Sequence, residues 1–206
     1  MPVRVAYVIG ELDKGGAEYQ LAELVRHLDR RRFAPQVFVL AGEGYWVGPI
    51  REVGIPVQTF PRRGSADLGR LARLRAALRA FAPDVLHTVL WSGNCYGRVA
   101  AAGLGIPVVV AAERNVIRRP AWQVRLERLL DRMTDAYLVN SDAIVAELVD
   151  HGGLPRAKMT VIRNGIDHEE VVQQVEQLGE PDGIRQDVGP GREGRRRSLR
   201  HAAPGM

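Results

Sequence analysis

The stretch ELDKGGAEYQLAELVRHL, residues 11–28, places Gly15 and Gly16 where an apolar run, Val3 to Ile9, gives way to an amphipathic helix. Helix amino termini carry unpaired N–H groups and a partial positive charge. Glycine lets an anion come close to them, so the pair suits a phosphate. A plain turn fits the same two residues. The spacing is not G-x-G-x-x-G, and no acidic residue closes the second strand to hold a nucleotide ribose, so a standard dinucleotide site is poorly supported. Glu18 reads as an ordinary first-turn acid favoured by the helix dipole. The chain has no D-x-D pair, and its histidines (His27, His87, His151, His168 and His201) lack ligand spacing, so no metal is expected. No G-x-S-x-G elbow or Walker loop offers another chemistry. Cys95 is the single cysteine, which excludes an internal disulfide and reads as a small packed hydrophobe.

The elements that must position such residues alternate regularly. Val3–Ile9 is apolar at nearly every position, as in a parallel strand covered on both faces. Leu21, Leu24, Val25 and Leu28 then recur at helical spacing. Further strands are expected at Gln36–Leu40, Val57–Phe60, Asp84–Thr88, Val108–Ala111, Ala136–Val139 and Thr160–Ile162. Helices are expected near Val47–Val53, Leu68–Phe81, Tyr96–Leu104, Trp122–Met133 and Ala143–His151. Proline marks several strand entries, as in APQVFVL and GIPVVVA. The alternation predicts an α/β, Rossmann-like three-layer domain with a mostly parallel sheet of about six to seven strands. Ligands sit beyond the carboxyl ends of such strands, so loops 10–16, 41–45, 89–94, 112–120 and 140–141 face one crevice. His87 follows DVLH toward that crevice, although a packed histidine fits as well. Glu113, Arg114 and Asn115 fall in the fourth loop, where either ligand contact or a Glu113–Arg114 pairing is open. Asn140 and Ser141 are accounted for by strand exit and a helix cap at Ser141.

The chain of 206 residues is 46% hydrophobic and 26% charged, enough for one good core. Its longest uncharged apolar run, Val99–Ala112, is too short to cross a bilayer and contains Pro107. The amino terminus lacks the apolar centre of a secretory signal, so a cytoplasmic location is expected. Five arginines against Glu193 leave +4 in residues 189–206 and only +1 of the total +5 for residues 1–188. The folded part is near neutral, and no specific nucleic-acid partner is expected. The Arg-rich end has no Val, Ile, Phe, Tyr or Trp and reads as a disordered tail. The expected organisation is a domain over 1–168, a short helix and linker over 169–188, and the tail over 189–206.

Segments in order now carry a resemblance. GELDKGGAEYQLAELVRHL is followed by PDVLHTVLWSGNCYGRVAAAGLGIPVVVAAERNV and by RLERLLDRMTDAYLVNSDAIVAELVDHGGLPRAKMTVIRNGID. Together they resemble the glycosyltransferase family 4 proteins through about residue 168. The resemblance implies a GT-B architecture of two facing Rossmann-like domains, of which this is the acceptor-side amino-terminal one. It implies transfer of a sugar from a nucleotide-sugar to a hydroxyl acceptor with retained configuration, without an obligatory metal or other cofactor. Gly15 and Gly16 match the family's GG, which approaches the donor diphosphate and sugar. His87 and Arg114 become the candidate catalytic residues, Arg114 standing where many relatives carry a histidine. An arginine stays charged and cannot serve as a base. Trp91, Asn94, Glu113, Asn115, Asn140 and Ser141 become acceptor or cleft residues. Asn164 and Gly165, in VIRNGID, match the hinge VIPNGVD with Arg163 in place of proline. The donor domain is expected to be missing, by truncation, by loss of frame or because a separate subunit supplies it, so the chain is expected to be inactive alone. A non-catalytic acceptor-binding module and an unrelated nucleotide-binding Rossmann protein are the alternatives. The expected partners are a sugar or lipid-linked acceptor, a donor subunit, and the inner face of the cytoplasmic membrane. The membrane contact would run through helix 68–81, whose Leu68, Leu71, Leu74, Leu78 and Phe81 form a stripe flanked by Arg70, Arg73, Arg75 and Arg79. Packing of that stripe on the sheet is the other reading.

Overall fold

A computed structural model of the chain describes residues 1–63 and 67–165. The expected short helix and linker over 169–188 and the Arg-rich tail over 189–206 lie outside the described residues. Seven parallel strands form one sheet: β1 (Val3–Ile9), β2 (Phe33–Val39), β3 (Val57–Thr59), β4 (Val85–Val89), β5 (Val108–Glu113), β6 (Ala136–Val139) and β7 (Met159–Val161). Their order is β3-β2-β1-β4-β5-β6-β7, so the direction of winding reverses between β1 and β4. This is the Rossmann-like α/β arrangement that the alternation predicts.

The alternating faces of β1 explain its unbroken apolar run. Val5, Tyr7 and Ile9 meet Leu21, Ala22 and Val25 of α1 (Gly16–His27) and Val47 and Ile50 of α2 (Val47–Glu52). Ala6 and Val8 turn to the other face, with Phe38, Leu86, Ala100 and the buried Leu74 and Leu78 of α3 (Leu68–Phe81). From Leu71 onward the stripe of α3 is therefore core: Leu74 and Leu78 are buried, and Leu71 and Phe81 pack against the cluster. Arg75 of the same helix donates to the carbonyls of Ala100 and Ala102, at 2.9 and 2.6 Å. The membrane reading of this helix loses its apolar face, because the sheet occupies it.

The largest departure from expectation is α4, which spans Leu90–Ala101 rather than starting at Tyr96. What was expected as an open loop at 89–94 is strand end and helix. Leu90 adopts φ 60°, a left-handed conformation that is costly for a leucine and compresses the strand-to-helix change into one residue. The buried side of α4 consists of Gly93, Asn94, Gly97, Arg98, Ala100 and Ala101, so an apolar periodicity that would reveal the helix is absent. The glycines let the helix lie directly on the strands. A Cβ on Gly93 would come within 2.5 Å of the Val8 carbonyl oxygen, and one on Gly97 within 2.5 Å of the Thr88 methyl. Beyond β5, α5 (Ala121–Leu130) ends in a short 3-10 turn, Asp131–Met133. The last α-helix among the described residues, α6 (Asp142–Ala146), passes into a π turn at Glu147–His151. As the cap reading requires, Ser141 Oγ accepts from the Ile144 N–H at 3.4 Å.

Arg98 is 0% exposed yet fully engaged. It donates through Nε to the Asn94 carbonyl at 2.8 Å, through Nη1 to Thr134 Oγ1 at 3.0 Å and through Nη2 to Glu127 Oε2 at 2.8 Å. The pair joins α4 to α5 beneath the sheet's β4–β6 half. Removing one partner of a buried pair leaves the other charge uncompensated. Arg98→Met is therefore expected to cost about 3–5 kcal/mol in urea unfolding, and Arg98→Met with Glu127→Leu to recover most of that loss. Gly97→Val, which forces α4 off Thr88 and Val8, is expected to cost roughly 1–3 kcal/mol by the same measurement.

Candidate functional site

Gly15 is the cap of α1, with extended backbone, and Gly16 is its first residue. A Cβ on Gly16 would meet nothing within 4 Å, so the helix end is open there. A Cβ on Gly15 would collide with the Glu18 carboxylate, which folds back over the cap and is 8% exposed. Glu18 is thus a buried acid against the glycine pair, which the first-turn reading missed. The available signal was its place three residues after the cap, where an acid folds back over the helix end.

The carboxyl ends of β4, β5 and β6 hold the second group. Arg114, just past β5, donates through Nη1 to Asn164 Oδ1 at 2.7 Å, and Asn140 donates to the same oxygen at 3.4 Å. Gly165 and Gln20 exchange two bonds, N–H to Oε1 at 3.2 Å and Nε2 to the carbonyl at 2.6 Å. Arg114, Asn140, Asn164 and Gly165 are thereby brought together and tied to α1, one turn beyond Gly16. The Arg114 Nε is buried without a partner, and burial pushes the guanidinium's pKa down. His87 is not at the crevice mouth, because β4 runs two residues further, to Val89. It pairs in register with Tyr7, with the two ring centroids 5.1 Å apart, and is 8% exposed. Burial, and then the charge of Arg114, lower its pKa to about 4, so the ring is neutral near pH 7, with Nε2 unpartnered.

The third group points inward. Asn94 is 1% exposed; it accepts from Thr88 Oγ1 at 2.6 Å and donates to the Ala112 carbonyl at 3.1 Å and to Glu113 Oε1 at 2.6 Å. Glu113 pairs with Arg119 at 2.6 Å, not with Arg114. Burial raises the Glu113 carboxyl pKa, opposed by Arg119 and by Asn94. The Arg119 guanidinium stacks 4.5 Å over Trp91, whose ring meets Trp122 edge-on at 6.2 Å. Asn94 and Glu113 thus brace the sheet edge from inside, Trp91 forms a half-buried wall, and Asn115 is exposed.

A parallel sheet with a reversal between β1 and β4 and an open glycine-marked helix end at that reversal defines a Rossmann-type ligand-binding half. The chain matches Glycosyltransferase Family 4 over residues 14–170 and belongs to that family. A D-inositol 3-phosphate glycosyltransferase of Nocardiopsis dassonvillei is 28% identical over 186 aligned residues, covering 78% of this chain and 43% of its own. An Anabaena protein, HepE, solved with UDP and glucose, superposes with TM-score 0.67 at 20% identity, over 86% of this chain and 50% of that one. A glycosyltransferase from Rickettsia africae gives TM-score 0.66 at 13% identity, over 89% and 51%. The chain thus spans about half the length of the relatives it matches and has the fold of the amino-terminal half of a GT-B protein.

The depressed His87 pKa makes a prediction. Between about pH 6.5 and 4 the unfolded chain binds a proton here that the folded chain refuses, so stability falls as pH falls through this window. His87→Phe is expected to remove up to roughly 3 kcal/mol of the difference between pH 7 and pH 4 in urea unfolding. An unchanged pH profile would show that His87 does not titrate in this way.

Proposed function

We propose that this chain is the acceptor-side half of a retaining glycosyltransferase that transfers a sugar from a nucleotide-sugar to a hydroxyl acceptor. The observation that carries this reading is the convergence at one sheet edge. The open amino end of α1 at Gly16 lies one turn from the Gln20–Gly165 exchange, and Asn164 beside it binds Arg114 and Asn140. In the reaction the bond from the anomeric carbon to the diphosphate oxygen breaks and a bond to the acceptor oxygen forms. The acceptor proton passes to the departing diphosphate. Charge stabilisation is the main demand, and this half contributes the N–H groups of α1 and the fixed positive charge of Arg114. His87 is held neutral by burial and by the charge of Arg114, which leaves Arg114 as the charged group of the pair. Trp91 and Asn115 face the cleft, and Asn94 and Glu113 hold its floor. Asn164 and Gly165 form the hinge.

The remaining groups that stabilise a departing diphosphate belong, by this reading, to the donor half. Losing even one preorganised stabilising group typically costs on the order of 100-fold in rate. The chain alone is therefore expected to release no nucleotide diphosphate from a panel of nucleotide-sugars and acceptors. Addition of a docking-competent family donor domain is expected to restore release. Gly16→Val, which meets no protein atom, is expected to fold normally and to lower the restored rate by about 100-fold. Sustained turnover by the chain alone would overturn the division of labour proposed here. Acceptor binding that no donor domain converts to turnover would favour a non-catalytic binding module.

A further inference from the structure

A cavity of about 480 Å³ opens at the carboxyl ends of β1 and β2, beside Leu90 at the start of α4. Its lining includes Gly10, Glu18, Gly42, Ser92 and Arg70. Arg70, in the first turn of α3, is 9% exposed, yet none of the described carboxylates lies within ion-pair distance of its guanidinium. The nearby Asp67 is consumed otherwise: it accepts from the backbone N–H groups of Arg63 and Arg70, at 2.8 and 3.0 Å, and pairs with Arg73 at 2.8 Å. What holds the Arg70 side chain is the Tyr96 ring, 4.3 Å from Cζ, and a long bond from Nη1 to the Leu40 carbonyl at 3.4 Å. Its Nε is buried with no partner.

The contrast with Arg98 decides the matter. Both guanidiniums are buried, but Arg98 spends all three of its nitrogens on Asn94, Thr134 and Glu127. A buried charge without a counter-charge is unfavourable unless something supplies one. Stacking on Tyr96 fixes the plane of the Arg70 fork, the geometry that receives an oxyanion through parallel N–H bonds. Arg62, Glu11 and Glu18 line the same cavity, so its wall offers carboxylate acceptors for hydroxyl groups beside the cationic end.

We propose that this cavity binds a hydroxylated molecule bearing an oxyanion, a phosphate, and that Arg70 receives that phosphate. Its assignment to the acceptor rests on the transferase reading above; the anion site itself does not. Two sources carry the same chemistry, a soluble sugar or polyol phosphate and a phospholipid headgroup.

The full-length chain is titrated with inorganic phosphate, with glucose 6-phosphate and with glucose, followed by calorimetry and by thermal midpoint. Saturable binding of glucose 6-phosphate, at least tenfold tighter than glucose and at least tenfold weakened in Arg70→Met, is expected. Because Arg70 has no ion pair to lose among the described residues, Arg70→Met is expected to fold with a thermal midpoint equal to or above that of the wild type in phosphate-free buffer. Arg70→Lys, which keeps the charge and loses the fork, is expected to fall between the two. Sedimentation with phosphatidylglycerol and phosphatidylcholine vesicles separates the sources: Arg70-dependent binding to the anionic vesicles alone assigns the phosphate to a headgroup. Equal responses of wild type and a folded Arg70→Met, or binding to neither glucose 6-phosphate nor anionic vesicles, would overturn the proposal. Phosphate binding by a chain that no donor domain activates leaves this site standing and removes the transferase reading.

Discussion

The close seat of α4 on β1 and β4 is the constraint on which the rest of the unit depends. Without Gly93 and Gly97 the helix would stand off the sheet, since a Cβ at either position would overlap Val8 or Thr88. Seated as it is, α4 delivers two polar side chains into the interior one turn apart. Asn94 reaches the end of β5 through Ala112 and Glu113, and Arg98 reaches α5 and the entry to β6 through Glu127 and Thr134. The left-handed Leu90 is the local cost of this arrangement, and the contacts of α4 hold it in place. The reversal of strand order falls beside this helix, so the crevice is framed by a wall that has little freedom to move.

Electrostatics divides the interior into a closed part and an open part. Around Arg98, Glu127, Arg119 and Glu113, each charge has an opposite charge in contact or nearly so, with 2.8 Å for Arg98–Glu127, 2.6 Å for Arg119–Glu113 and 4.0 Å for Arg119–Glu127. Tyr137 adds its hydroxyl to Glu127 at 3.3 Å. Such a network fixes the packing of α4, α5 and β6 in one arrangement. At the crevice Arg70 and Arg114, and within β4 His87, each keep a buried nitrogen without a partner among the described residues. Proteins leave few such groups, and these three lie at or near the carboxyl edge of the sheet, where ligands of this fold class bind.

How much of this was legible follows from what each residue reports locally. The strands β1 and β6 and the helix α3 have the limits that their periodicity predicts, because their apolar residues face the core directly. β2 begins earlier than its apolar run, at Phe33, since parallel pairing with β1 from Val3 onward extends it through Ala34 and Pro35. The first half of α4, residues 90–95, was hidden because its inner face is Gly93 and Asn94, a pair that reads as a loop. The glycine pair and the segment around Arg114 were legible as crevice residues from their place after strands. The partners were not: Glu113 binds Arg119 rather than Arg114, and Arg114 binds Asn164, fifty positions away. Glu18 and Arg70 were read as a first-turn acid and a flanking arginine, since burial of a charge is set by distant elements that local sequence does not show.

The exchange between Gln20 and Gly165 joins residues 145 positions apart. It links the helix after the first strand to the segment that leaves the last one, bridging the edge of a sheet in which β1 and β7 are separated by three other strands. The two hydrogen bonds act as a rivet between α1 and Gly165. Gly165 is thereby held to α1 four residues from its glycine terminus, so Asn164, which receives Arg114 and Asn140, is positioned by the first helix as well as by the strand it follows.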